Sequence, residues 1–94
     1  MLNSNDLPER MLVRGRYEFR SLEARYDYRT RTIQNRFNYE LLKDGFRIFH
    51  IDEDENVIAI CSLDDVHGER PFYLNDGTVF INRSESVLFI RKIE

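Results

Sequence analysis

From Gly15 onward polar and apolar residues alternate singly, with Tyr17 and Phe19 on one side and Arg16, Glu18 and Arg20 on the other. That period of two is the spacing of a half-buried β-strand. Ahead of it, Asp6 can cap a helix, Pro8 suits a first turn, Glu9 favours the positive helix end and Gly15 suits a left-handed stop. A short helix is therefore expected over about 7–14.

Residues 22–43 admit two periods. As a helix they would align Leu22, Tyr26, Ile33, Phe37 and Leu41, with Gly45 just beyond the end. As strands they set Tyr26, Tyr28, Thr30 and Thr32 against Arg25, Asp27, Arg29 and Arg31, without a miss from 25 to 32. The helical stripe must cross Arg29 and Thr30, and Tyr and Thr favour strands, so the strand reading is preferred. Turns at Gln34-Asn35 and Asp44-Gly45 would then lay Tyr28 opposite Leu41 and Leu41 opposite Ile48. The loop from Asp52 to Asn56 would bring Ile60 beside Ile48 and Ile58 beside His50, completing a row of Tyr28, Leu41, Ile48 and Ile60. Asp76-Gly77 reads as the tip of a second hairpin joining Phe72-Tyr73-Leu74 to Val79-Phe80-Ile81, and a last strand is expected from Val87 to Ile93.

The expected fold is mainly β, a small antiparallel meander or half-closed barrel with a short N-terminal helix. The alternative is an α+β arrangement in which a long helix at about 22–43 packs on an antiparallel sheet. In the preferred reading the two central strands are apolar on both faces, with Phe49, Ile51, Val57 and Ala59 opposite the row that holds Ile48 and Ile60. That second face needs cover from the N-terminal helix, from the C-terminal hairpin or from another subunit. Phe49, Ile51 and Val57 are therefore a candidate interface.

Length and composition narrow the class without naming a function. At 94 residues the chain is expected to form one domain over 1–94, and 41% apolar against 33% charged residues suit a globular one. No apolar run approaches the roughly 18 residues of a membrane span, and Met1 to Pro8 lacks the basic-then-apolar order of an export signal. A lone cysteine, Cys61, allows no intramolecular disulfide and suits a reducing compartment, so a cytoplasmic location is expected.

The net charge of −3 hides a division along the chain. Residues 10–36 hold eight Arg against three acidic residues, whereas 37–94 hold six basic and twelve acidic ones. The whole chain has twelve Arg and two Lys, and Arg is the better fork for phosphate or carboxylate. On the strand reading Arg25, Arg29 and Arg31 form a row, with Arg36 after the turn, as a candidate anion- or partner-binding face. Asp27 between them and Glu40 opposite Arg29 would satisfy part of that charge internally, and Tyr26 and Tyr28 would alternate to the other face, away from any stacking role.

Catalytic material is sparse. His50 alternates with Ile48 and Phe46 and reads as a residue at the core margin, while His67 lies in Asp64-Asp65-Val66-His67-Gly68-Glu69 without the spacing of a metal motif. Asp52 to Asn56 lacks the glycine and later glutamate of a calcium loop and reads as an acidic hairpin tip. No glycine-rich phosphate loop or nucleophile elbow occurs. No catalytic residue, metal ligand or cofactor is therefore assigned. The leading expectation is a noncatalytic binding or regulatory module acting through protein contacts and able to self-associate as a homo-oligomer. Nucleic-acid or nucleotide binding through the arginine face is the alternative, placed behind a protein partner, with no membrane role. A small metal-dependent enzyme around Asp64, Asp65, His67 and Glu69 is the second alternative.

Overall fold

The computed structural model describes residues 15–74 and 78–93. They run β1 (Arg16–Phe19), α1 (Leu22–Arg31), α2 (Ile33–Leu42), β2 (Phe46–Ile51), β3 (Val57–Cys61), β4 (Phe72–Tyr73), α3 (Arg83–Phe89) and β5 (Ile90–Lys92). Among the described residues the strands form one antiparallel sheet in the order β4-β3-β2-β1-β5. The fold is α+β, and the sheet is open, with β4 and β5 at its edges, so the barrel is corrected. The helix expected at 7–14 and the turn at Asp76-Gly77 lie outside the described residues.

β1 follows its alternation, with Tyr17 and Phe19 buried. The strands expected over 25–43 are replaced by two helices, nearer the alternative, but with a break in place of one long helix. Ser21 caps α1 by accepting from the Ala24 N–H at 3.0 Å. Thr32 is extended, with φ −144° and ψ 162°, so it ends α1 and caps α2 by accepting from the Asn35 N–H at 2.9 Å. Asn35 consequently sits inside α2 and not in a turn. Gly45, at φ 92°, reverses the chain between α2 and β2 and makes no hairpin; an added Cβ would meet Leu63 Cδ1 at 2.7 Å.

The β2–β3 hairpin forms around the acidic tip, and Ile48 pairs with Ile60. His50 faces Ala59 and not Ile58, because the register shifts on both sides of His50. Each strand carries one extra residue there. Ile51 and Val57, three positions from Ile48 and Ile60, are thereby turned onto the same core instead of the opposite face. The strand expected from Val87 to Ile93 begins only at Ile90, since Asn82 and Glu85 form a reciprocal capping box that starts α3. Phe72-Tyr73 and Ile81 both meet β3, the first as β4 and the second as a single bridge to Val57.

The core lies between helices and sheet. Ala24 and Tyr28 of α1, Leu42 of α2 and Phe89 of α3 close over Tyr17, Phe19, Phe46, Ile48, Val57 and Ile60, with Phe80 and Ile81 completing it. The other face of the central strands is covered by the segment 62–70. Arg47 Nε donates to the Leu63 carbonyl at 2.8 Å, Gly68 lies against the Phe49 ring, and Tyr73 meets Phe49 edge-on at 6.0 Å.

Candidate functional site

At about 100° per residue, α1 and α2 each present one inward and one outward face. Ala24 and Tyr28 point inward from α1, and Asn35, Asn38 and Leu42 from α2. Two of the inward residues are amides with fixed partners. Asn35 Nδ2 donates to the Tyr28 carbonyl at 3.1 Å and to Glu85 Oε2 at 2.7 Å, and Asn38 Nδ2 donates to the Val79 carbonyl at 3.4 Å. Beside the asparagines only Ala24, Tyr28 and Leu42 are buried from these two helices, and five other large apolar residues face water. Leu22 is 82% exposed, Ile33 78% and Phe37 67%, with Tyr26 and Leu41 also exposed. These five are the helical stripe legible in the sequence, turned away from the core it would ordinarily form.

The arginines gather at the break. Arg29, Arg31 and Arg36 line an open groove of about 730 Å³ together with Thr30, Thr32, Ile33 and Glu40. Arg25 is half-buried on α1 and lies outside this lining. Arg25, Arg29 and Arg31 lie on a helix and not in a strand row, which corrects that arrangement. Arg29 stands over the rings of Tyr26 and Tyr39 at 5.8 and 5.4 Å, a cation–π contact within the chain, while Tyr28 is buried in the core. Arg31 lies over Phe89 and reaches Glu85 at 3.4 Å, while Glu40 pairs with Lys43 at 2.9 Å.

The candidate interface residues are placed differently. Val57 is fully buried, Ile51 packs against the core, and Phe49 is half-buried beneath Gly68 and Tyr73. A smaller cavity of about 190 Å³ borders Phe49, Arg47, Cys61, Asp65 and His67. Burial, then a hydrogen bond to Asp65, pushes the Cys61 thiol up, which keeps it protonated and a poor nucleophile. Asp65 accepts from the N–H groups of Glu69 and Arg70 at 2.9 and 2.8 Å, and these hold its carboxyl below the ordinary range. Its oxygens therefore serve the loop backbone, while Asp64, His67 and Glu69 are exposed. Among the described residues no group of three or more His, Cys, Asp or Glu is arranged to hold a metal ion. Nor is any helix long and apolar enough to cross a membrane.

The outward face of α1 and α2 is not evident from the sequence because an apolar stripe at helical spacing ordinarily marks a core. The signal available was Asn35 and Asn38, two amides on the side a core stripe would oppose. Comparison of the chain with protein-family models, with curated proteins and with solved structures gave no match.

Proposed function

We propose that this chain is a noncatalytic protein-binding module whose working surface is the outward face of α1 and α2. The observation that carries the reading is the exposure of Ile33, Phe37 and Leu41 at four-residue spacing on one side of α2. Regularly spaced apolar anchors on an open helix face are the pattern that protein partners bury. Each side chain fully buried on docking contributes about 1.5–3 kcal/mol, enough for specific recognition if two or three are covered. Phe37→Asp should leave thermal stability within about 0.5 kcal/mol of wild type, since the side chain touches solvent, and should strip bound partners from the immobilised protein. An unchanged partner set would overturn the reading.

The groove at the α1–α2 break supports a second reading, recognition of an anionic group by Arg29, Arg31 and Arg36. Changing all three to Gln should then abolish binding to a phosphorylated or nucleic-acid probe, and wild-type affinity should fall steeply with salt. Affinity that is indifferent to both would dismiss it.

A further inference from the structure

We infer that the partner docked on α2 is a second copy of this chain, the two α2 helices lying antiparallel about a two-fold axis level with Asn38. The inference rests on the protein-binding reading above and names its occupant. Its ground is that the outward pattern of α2 is complementary to itself. Ile33, Phe37 and Leu41 recur every four residues, and a rise of about 1.5 Å per residue sets them about 6 Å apart along the axis. In an antiparallel pair centred on residue 38, the partner's Leu41 falls midway between Ile33 and Phe37, and Leu41 lies midway between the partner's Phe37 and the partner's Ile33. The six side chains then interleave at steps of about 3 Å along the nearly antiparallel axes.

The same centre fixes the charges. Residues 36 and 40 lie two positions either side of 38, so Arg36 is level with the partner's Glu40 and Glu40 with the partner's Arg36. Both residues line the groove and so share one flank of the stripe. An antiparallel two-fold axis brings like flanks together. Opposite charges on that flank are what such a contact requires, and a one-residue shift of the centre would lose both the interleaving and the pairing. Arg36 forms no ion pair among the described residues, and Glu40 meets Lys43 in solvent, leaving an oxygen for a second cation. Three apolar anchors and their flanks cover less than the roughly 800 Å² per partner of a standard stable interface, so the dimer is weak and depends on concentration.

Sedimentation equilibrium of the full chain over roughly 10 μM to 1 mM, the range suited to so small a contact, tests this. Wild type should pass from monomer toward dimer, and Phe37→Asp should stay monomeric. Arg36→Glu or Glu40→Arg alone sets like charges together twice per dimer and should weaken association by about tenfold or more, whereas the doubly exchanged chain should regain it. Circular dichroism of each variant verifies that the helices remain. A wild type that is monomeric throughout, or a double exchange that fails to restore association in a folded chain, overturns the inference. If Phe37→Asp still strips another partner from a monomeric wild type, only the self-pairing falls and the protein-binding reading stands; if no partner depends on Phe37 either, both fall.

Discussion

Asp65 turns its carboxylate onto the backbone of its own loop and so braces the segment that covers the second sheet face. The N–H groups of Glu69 and then Arg70 stabilise its charged form, so its folded pKa lies below the ordinary carboxyl value of about 3.9. A depressed pKa contributes stability that is fully present above that ordinary value and is lost as pH falls through the folded one. Asp52 acts in the same direction, its oxygens accepting from Asn56 and Asp54 at the hairpin tip. Thermal melts should therefore stay level on acidification to about pH 5 and decline below about pH 4. In Asp65→Asn the melting point should be lower at neutral pH and the acid decline shallower; an identical decline would mean that Asp65 plays no part in it. Cys61, buried beside Asp65, keeps its proton. Alkylation by iodoacetamide at pH 8 should be slow in the folded protein and rapid after denaturation, and equal rates would contradict its burial.

The elbow at Thr32 organises the helical layer, because one extended residue lets α1 and α2 each bury a different side. Its hydroxyl satisfies an otherwise free N–H of α2, so Thr32→Ala should destabilise the fold by about 1 kcal/mol, lowering the melting point by about 4–8 °C for a domain of this size. A melting point at or above the wild-type value would show that the cap adds nothing. This element also explains where sequence reasoning succeeded and failed. β1 was legible because its two faces have opposite fates, Tyr17 and Phe19 in the core and Arg16 in water. Ile48 opposite Ile60 was legible from the length of the acidic tip, up to the irregularity at His50 that no residue type announces. Residues 22–42 misled for a physical reason. Their inward helical positions mix Tyr28 and Leu42 with Ala24, Asn35 and Asn38, while Leu22, Ile33 and Phe37 point outward, so the longer apolar stripe describes the solvent face. The alternation of Tyr and Thr with Arg over 25–32 outweighed that stripe because the stripe crosses Arg29 and Thr30. The caps Ser21 and Thr32 and the Asn82-to-Glu85 box were the local signals that tertiary packing followed. The arginines were legible in the sequence, while the meeting of Arg29, Arg31 and Arg36 in one groove, without Arg25, required the elbow.

Across the whole molecule, Glu85 ties α3 to that elbow. One oxygen accepts from the Asn82 N–H at 3.0 Å, closing the α3 capping box; the other accepts from Asn35 Nδ2 at 2.7 Å and faces Arg31 Nε at 3.4 Å. The carboxylate is buried, and Asn35 also holds the Tyr28 carbonyl, so three helices depend on one acceptor pair. Glu85→Ala removes both acceptors and should cost about 2–4 kcal/mol out of the 5–15 kcal/mol typical of a domain, most of it from polar groups left unsatisfied. Glu85→Gln is the sharper test. One end of the amide can still accept from Asn82, but the other places an NH2 where Asn35 and Arg31 both donate. Rotating the Asn35 amide brings no relief, because its oxygen would then face the Tyr28 carbonyl. The isosteric change should therefore lose most of what the alanine change loses, with a melting point lower by roughly 8 °C or more. A Gln variant as stable as wild type would mean that the cavity's shape, and not its acceptors, supports the elbow. The comparison also separates folding from docking: Phe37→Asp should alter association at nearly constant stability, whereas Glu85→Gln should lower stability while the fraction that remains folded, at a matched concentration, keeps its self-association.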